Sequence, residues 1–157
     1  MERKSFLAIR IRGGINVSRR NEDNLRMLRM DRNNTATLLD DRPEYSGMLQ
    51  RAKDFVTWGE PTTETIKLLL EKRGRLVGDH PLTEEALKEL GYADLGALAE
   101  ALQEGSAELH KLEGVKPFFR LHPPTKGFKR TVKRPYRSKG ELGYRGEDIN
   151  ELAKRMC

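Results

Sequence analysis

Phe6-Leu-Ala-Ile-Arg-Ile-Arg12, followed by Gly13-Gly-Ile-Asn-Val-Ser18, is the stretch on which the fold turns. Leu7, Ile9 and Ile11 fall on one face of an extended chain, and Phe6, Ala8, Arg10 and Arg12 fall on the other. This is the period-two alternation of a half-buried strand. The second face becomes cationic towards its C-terminal end. Gly13-Gly14 then permits a tight turn. Ser18 is a good N-cap for a helix from Arg19 to about Met30, whose inward stripe is Leu25 and Leu28 with Met27 or Met30 flanking.

Beyond this unit, Asn33-Asn34 breaks the helix and Thr35-Ala-Thr-Leu-Leu39 reads as a second strand. Asp40-Asp-Arg-Pro43 is a turn, with Pro43 suited to the first position of a short helix through about Lys53. Phe55-Val-Thr-Trp58 is a third strand, ended by Gly59-Glu-Pro61, and Trp58 reads as a core or sheet-face residue rather than a base-stacking platform. Strand, helix, strand, helix, strand makes a small α+β sheet with both helices on one face. The other face is expected to be free to bind something.

After residue 61 the chain changes character. Thr62 or Thr63 caps a helix carrying Ile66, Leu69 and Leu70 and stopping near Gly74. Thr83 begins another with Ala86, Leu87 and Leu90, and Asp94 caps a third with Leu95, Leu98, Ala101 and Leu102 up to Gly105. Lys116 to Leu121 is apolar enough at Phe118 and Phe119 for an edge strand. Gly146-Glu-Asp148 opens a final helix with Ile149, Leu152, Ala153 and Met156 on one side. The chain thus divides into a core (1–61), a helical extension (62–115) and a basic arm with a C-terminal helix (116–157).

The 157 residues carry a formal charge of +6 with a pI near 9.5, which points to nucleic acid or another anionic surface. The charge is uneven: net +3 over 1–61, −4 over 62–104 and +7 over 105–157. The acidic middle is therefore expected to face water or a protein while the ends face the anion. The single cysteine, Cys157, excludes an internal disulfide and a cysteine-rich zinc site. His80, His110 and His122 have no ligand spacing, so no metal is expected. The apolar runs are too short to span a bilayer and the N-terminus lacks a secretory core, so an intracellular, soluble protein with no membrane partner is expected.

Val115 to Gly140 contains nine Lys or Arg and no Asp or Glu. Prolines at 117, 123, 124 and 135 and glycines at 127 and 140 forbid a regular helix. The segment reads as an extended loop that repels itself and orders on a polyanion. Phe128 and Tyr136 among the cations suit phosphate neutralisation with base or sugar stacking. The blander reading is a solvated basic linker.

The junction at 12–20 is a second candidate. A glycine turn feeding a helix N-terminus exposes free N–H groups at a positive dipole end beside Arg12, Arg19 and Arg20. A plain structural turn and a backbone-phosphate contact both remain open there. The third glycine of a dinucleotide fingerprint is missing, as is the Gly-Lys-Ser/Thr ending of a P-loop. An enzyme acting on a phosphorylated substrate would also need a convergent acid, base or nucleophile, and the acids nearby, Glu22 and Asp23, have no partner of that kind.

Arg10-Ile-Arg-Gly-Gly-Ile-Asn-Val17, Leu25-Arg-Met-Leu-Arg29, Pro43-Glu-Tyr-Ser-Gly-Met48, Val56-Thr-Trp-Gly59, Arg120-Leu-His-Pro-Pro124, Lys126-Gly-Phe128, Lys133-Arg-Pro-Tyr136 and Gly143-Tyr-Arg-Gly146 together resemble the L30 (uL30) family of large-subunit ribosomal proteins. The likeness covers essentially the whole chain and is to the long archaeal form, related to eukaryotic L7. It implies a ferredoxin-like, antiparallel three-stranded sheet of order 3-1-2 with helical and basic extensions. It also implies a structural protein of the cytoplasmic ribosome, bound to 23S-type rRNA near 5S rRNA and beside other large-subunit proteins, with no catalysis, cofactor or small-molecule substrate.

The contact residues follow from chemistry. They are Arg10, Arg12, Arg19 and Arg20 at the strand-turn-helix, and Arg120, His122, Lys126, Lys129, Arg130, Lys133, Arg134, Tyr136, Arg137 and Lys139 on the arm. Arg120 and Arg137 suit bidentate phosphate contacts. A non-ribosomal RNA-binding or RNA-remodelling protein on the same scaffold is the main alternative.

Overall fold

The computed structural model describes residues 5–13, 17–112 and 114–157. Strand β1 (Ser5–Arg10) lies at the centre of the sheet. It pairs antiparallel with β2 (Thr35–Asp40), Leu7 opposite Leu38, and on its other side with β3 (Val56–Gly59), Ile9 opposite Thr57. This is the 3-1-2 arrangement that the family resemblance implies, and the α+β class holds.

Helices α1 (Arg19–Met27) and α2 (Pro43–Arg51) cover one face. Ser18 caps α1 by accepting from Asn21 N, and Pro43 opens α2. Helix α1 ends earlier than the apolar stripe suggests. Arg29 adopts a left-handed conformation (φ 64°), and the amides of Arg29 and Met30 turn back to the carbonyls of Arg26 and Leu25. That reversal points Met30 inward and leaves Met27 62% exposed. Leu25, Leu28, Met30 and Leu49 pack with Ala8, Leu39, Val56 and Trp58, so Trp58 is a core residue.

The opposite face is not free. Leu7, Ile9, Ile11 and Leu38 pack against Ile66, Leu69 and Leu70 of α3 (Thr63–Arg73) and against Leu98, Ala99 and Leu102 of α5 (Leu95–Glu104). The same core takes in Leu87 of α4 (Glu84–Glu89) and the apolar side of α6 (Ile149–Met156). The reason is visible in β1: apolar residues stand on both of its faces, as a strand sandwiched between two helical layers requires. The acidic middle faces solvent only in part, through exposed Glu64, Glu71, Glu84, Glu85, Glu89, Glu100 and Glu104, while its leucines complete the core. Thr62, Thr83 and Asp94 cap these helices, each accepting from the third residue on.

The basic segment is also not a long loop. Strand β4 (Phe119–Arg120) pairs with β2, as its apolar residues suggest. The segment further forms β5 (Thr131–Pro135), and β6 (Gly140–Tyr144) runs parallel to β3, giving a sheet of order β4-β2-β1-β3-β6-β5. A Cβ on Gly140 would stand 1.8 Å from the Arg134 carbonyl oxygen, so only glycine lets β5 lie against β6. Between β4 and β5 the chain is tied to α6: His122 N donates to Met156 O (3.0 Å) and Thr125 N to Arg155 O (3.0 Å), while Arg155 donates to the Thr125 and Gly127 carbonyls. Residues from all three stretches of the chain share one core. Among the described residues no helix is long and apolar enough to cross a membrane.

Candidate nucleic-acid interface

Edge strand β5 carries the arm's cations. Lys133 and Arg134 are exposed on it, Arg137 on the 3-10 turn Tyr136–Ser138 that follows, Lys139 just past that turn, and Lys126 on the loop before the strand. Among the described residues these five side chains enter no hydrogen bond or ion pair. Lysine, arginine and proline on an edge also discourage pairing with another chain's strand. Lys129 and Arg130 are partly engaged, Lys129 with Glu151 and Arg130 over the Tyr136 ring at 5.0 Å.

A buried cluster fixes this edge. Arg145 lies just after β6. Its Nη2 donates to Glu141 Oε2 at 2.7 Å and its Nε to Thr57 Oγ1 at 2.7 Å, and Glu141 Oε1 accepts the Arg130 amide at 2.9 Å. Both charged side chains are about one-twentieth exposed. The Tyr136 ring has the Arg145 guanidinium 5.1 Å from its centroid in addition to Arg130. Its hydroxyl donates to Asp148, which raises the phenol above its ordinary value, with burial adding to the effect. Tyr144 donates to Glu60 at 2.7 Å and is pushed up to about 12, chiefly by that bond. Sequence reasoning misses Arg145 and Glu141 as positioning residues; the only signal is Gly143-Tyr-Arg-Gly146, and nothing in it announces burial.

Three expected contact residues are placed otherwise. Arg10 is 3% exposed, and its guanidinium donates to the carbonyls of Met30 (2.8 Å), Asp31 (2.7 Å) and Arg12 (2.9 Å). Burial lowers its pKa, with Asp31 and Glu22 pulling the other way. It closes the end of the α1–β2 connection, with its donors spent on backbone carbonyls. His122 turns its ring nitrogens to the Pro123 and Cys157 carbonyls, at 2.6 and 2.9 Å, and so holds the end of α6. Tyr136 is half-buried between two arginines rather than an open stacking plate.

Arg12 is half-buried, donating to Asp54 O and lying over Phe55. Arg19 and Arg20 are exposed at the start of α1. Gly14 to Asn16 fall outside the described residues, and so does the phosphate cradle expected at Gly13-Gly14. Arg120 is exposed on β4, at the sheet edge opposite β5. No group of three or more potential metal ligands occurs among the described residues.

The family model for ribosomal protein L30p/L7e matches residues 6–56, from β1 to the start of β3. The large ribosomal subunit protein uL30 of Staphylothermus marinus is 49% identical over 96% of this chain and 97% of its own length. The chain belongs to the uL30 family. The uL30 of Methanopyrus kandleri is likewise 49% identical, over 93% of this chain and 99% of its own, and that of Ignicoccus hospitalis 48%, over 99% of each. The match to these archaeal relatives extends over nearly the whole chain, whereas the family model ends at the start of β3. By name, these relatives are proteins of the large ribosomal subunit.

Proposed function

We propose that the chain is a structural constituent of the large subunit of the cytoplasmic ribosome, binding 23S-type rRNA near 5S rRNA and neighbouring other large-subunit proteins. The observation that carries this reading is the row of cations without a partner among the described residues on a folded sheet edge, Lys133 and Arg134 with Arg137 and Lys139 beyond them. Each phosphate they neutralise releases condensed counterions, so affinity falls steeply with salt. A folded edge loses less conformational entropy on binding than a free loop does, which favours tight association. Recognition rests on phosphate positions and RNA shape, with little base reading.

Sedimentation of cell extract through sucrose gradients at low and then high salt, with the chain followed by immunoblot, tests the reading. Co-migration with the large subunit that survives moderate salt is the expected result. Migration as a free protein, with RNA bound only transiently, overturns it in favour of a remodelling factor.

A further inference from the structure

At the β4 edge, a cleft of about 280 Å³ is lined by Arg26, Arg29, Arg32 and Arg120, with Phe118 as its apolar wall. The one acid among its described lining residues, Asp31, stands near the Arg10 guanidinium, which offsets its charge. Four arginines gathered around one opening, at the sheet edge away from β5, are not accounted for by the interface on β5. The sheet order puts five inter-strand steps, about 24 Å, between the two edges. No single cluster of phosphates serves both.

Arg29 adds a second, independent observation. It occupies the left-handed position that ends α1, where the amides of Arg29 and Met30 close onto Arg26 and Leu25. Glycine fits that position without strain, whereas a Cβ there crowds the following carbonyl oxygen and destabilises the turn. Among the described residues, five non-glycine residues have positive φ: Arg29, Asn34, Asp79, Lys126 and Lys139. Asn and Asp tolerate this conformation. The other three are all cations, and two of them, Lys126 and Lys139, lie on the exposed basic arm. A strained backbone is kept where the side chain it places is needed.

Phe118 shapes what the cleft takes. The Arg120 guanidinium lies 5.7 Å from its ring centroid, a stacked pair on which an unpaired base can lie. Beyond this pair a second opening of about 190 Å³ continues the basic surface to Arg75, and its acid, Asp79, is paired with Lys116 at 3.2 Å.

We propose that the β4-edge cleft is a second RNA site, holding a phosphate-bearing loop or single-stranded segment against Arg29, Arg32 and Arg120 with a base stacked on the Arg120–Phe118 pair. The chain then bridges two RNA segments through opposite edges of one sheet. This inference rests on the rRNA-binding reading above.

Binding of the full chain to transcribed 23S-type rRNA, measured across a salt series, tests it. Arg29→Gly is the sharpest variant, because it relieves the turn. Its unfolding temperature is expected to hold or rise while the log–log salt slope falls by about 0.7–0.9. Arg29→Gly with Arg32→Ser and Arg120→Ser is expected to lower the slope by about two units or more. Phe118→Leu leaves the slope unchanged but weakens binding about fivefold or more by removing the stacking plane. A triple variant that binds with the wild-type slope, while alanine at Lys133 and Arg134 weakens binding, overturns the second site alone. A wild-type chain without affinity for the RNA overturns the ribosomal reading and the second site together.

Discussion

Strands β1 and β5 both carry cations at their C-terminal ends, and they use them oppositely. In β1, buried between two helical layers, Arg10 is consumed by three carbonyls, two in the α1–β2 connection and that of Arg12 just past the strand. In β5, at the sheet edge, Lys133 and Arg134 stand in solvent. Desolvating a guanidinium is costly unless its donors are met, so the interior admits one only where carbonyls or a carboxylate await it. A cation's place in the sheet, more than its place in the sequence, decides whether it holds the fold or meets a ligand. Arg145 stands between the two cases: it is buried, yet what it holds in place is the exposed edge.

The largest break in that comparison is therefore Arg145→Ala. It leaves Glu141 charged, buried and without its cation, and is expected to cost about 3–5 kcal/mol, read from urea unfolding. The Arg130 amide, bonded to Glu141, should also lose hydrogen-exchange protection. Replacing both partners, as Glu141→Gln with Arg145→Met, should cost far less, because no unpaired charge remains. A loss below about 1 kcal/mol for Arg145→Ala would mean that the edge is held by strand pairing alone.

Leu69→Ala comes next, at about 2–5 kcal/mol. Leu69 is fully buried where α3 meets the sheet. Salt dependence of RNA binding should be unaffected, since the residue contributes to the core and not to the surface. A loss below about 0.5 kcal/mol would show that the site collapses around the cavity, and that the second helical layer is softer than its burial implies.

These two positions also mark what the sequence disclosed. Helix α3 was legible, caps and inward stripe together, because both signals are local. Its destination was not: the alternation in β1 suggested one buried face, although Phe6 and Ala8 opposite Leu7 and Ile9 already left little to distinguish the faces. The arm hid more. Thr131-Val-Lys-Arg-Pro135 has no alternating apolar pattern and joins the sheet through backbone pairing, while β6 meets β3 some 86 residues earlier in the chain. Arg145 looked like any surface arginine, since neither Thr57 nor Glu141 announces a buried partner. The exposed cations were legible because charge without compensating acids has nowhere else to go.

Arg10→Met tests the interior half of the comparison. Three carbonyls lose their donor, and a loss of about 1–3 kcal/mol is expected, with the salt slope of RNA binding unchanged. A reduced slope with intact stability would return Arg10 to the contact surface and break the contrast with β5.

The exterior half predicts the smallest change in stability and the largest in binding. Alanine at Lys129, Arg130, Lys133 and Arg134 removes one exposed ion pair, with Glu151, and the ring contact and long hydrogen bond that Arg130 makes with Tyr136. These contacts are exposed and screened by solvent, so the change in stability should be small. The same four changes should flatten the salt dependence by about 0.7–0.9 log units for each phosphate that is no longer neutralised. Lys133 and Arg134 have no partner among the described residues, so the weakening they cause measures engagement of RNA rather than damage to the fold. If the slope stayed at its wild-type value, the β5 edge would be a solvated surface, and its unpaired cations would serve solubility rather than recognition.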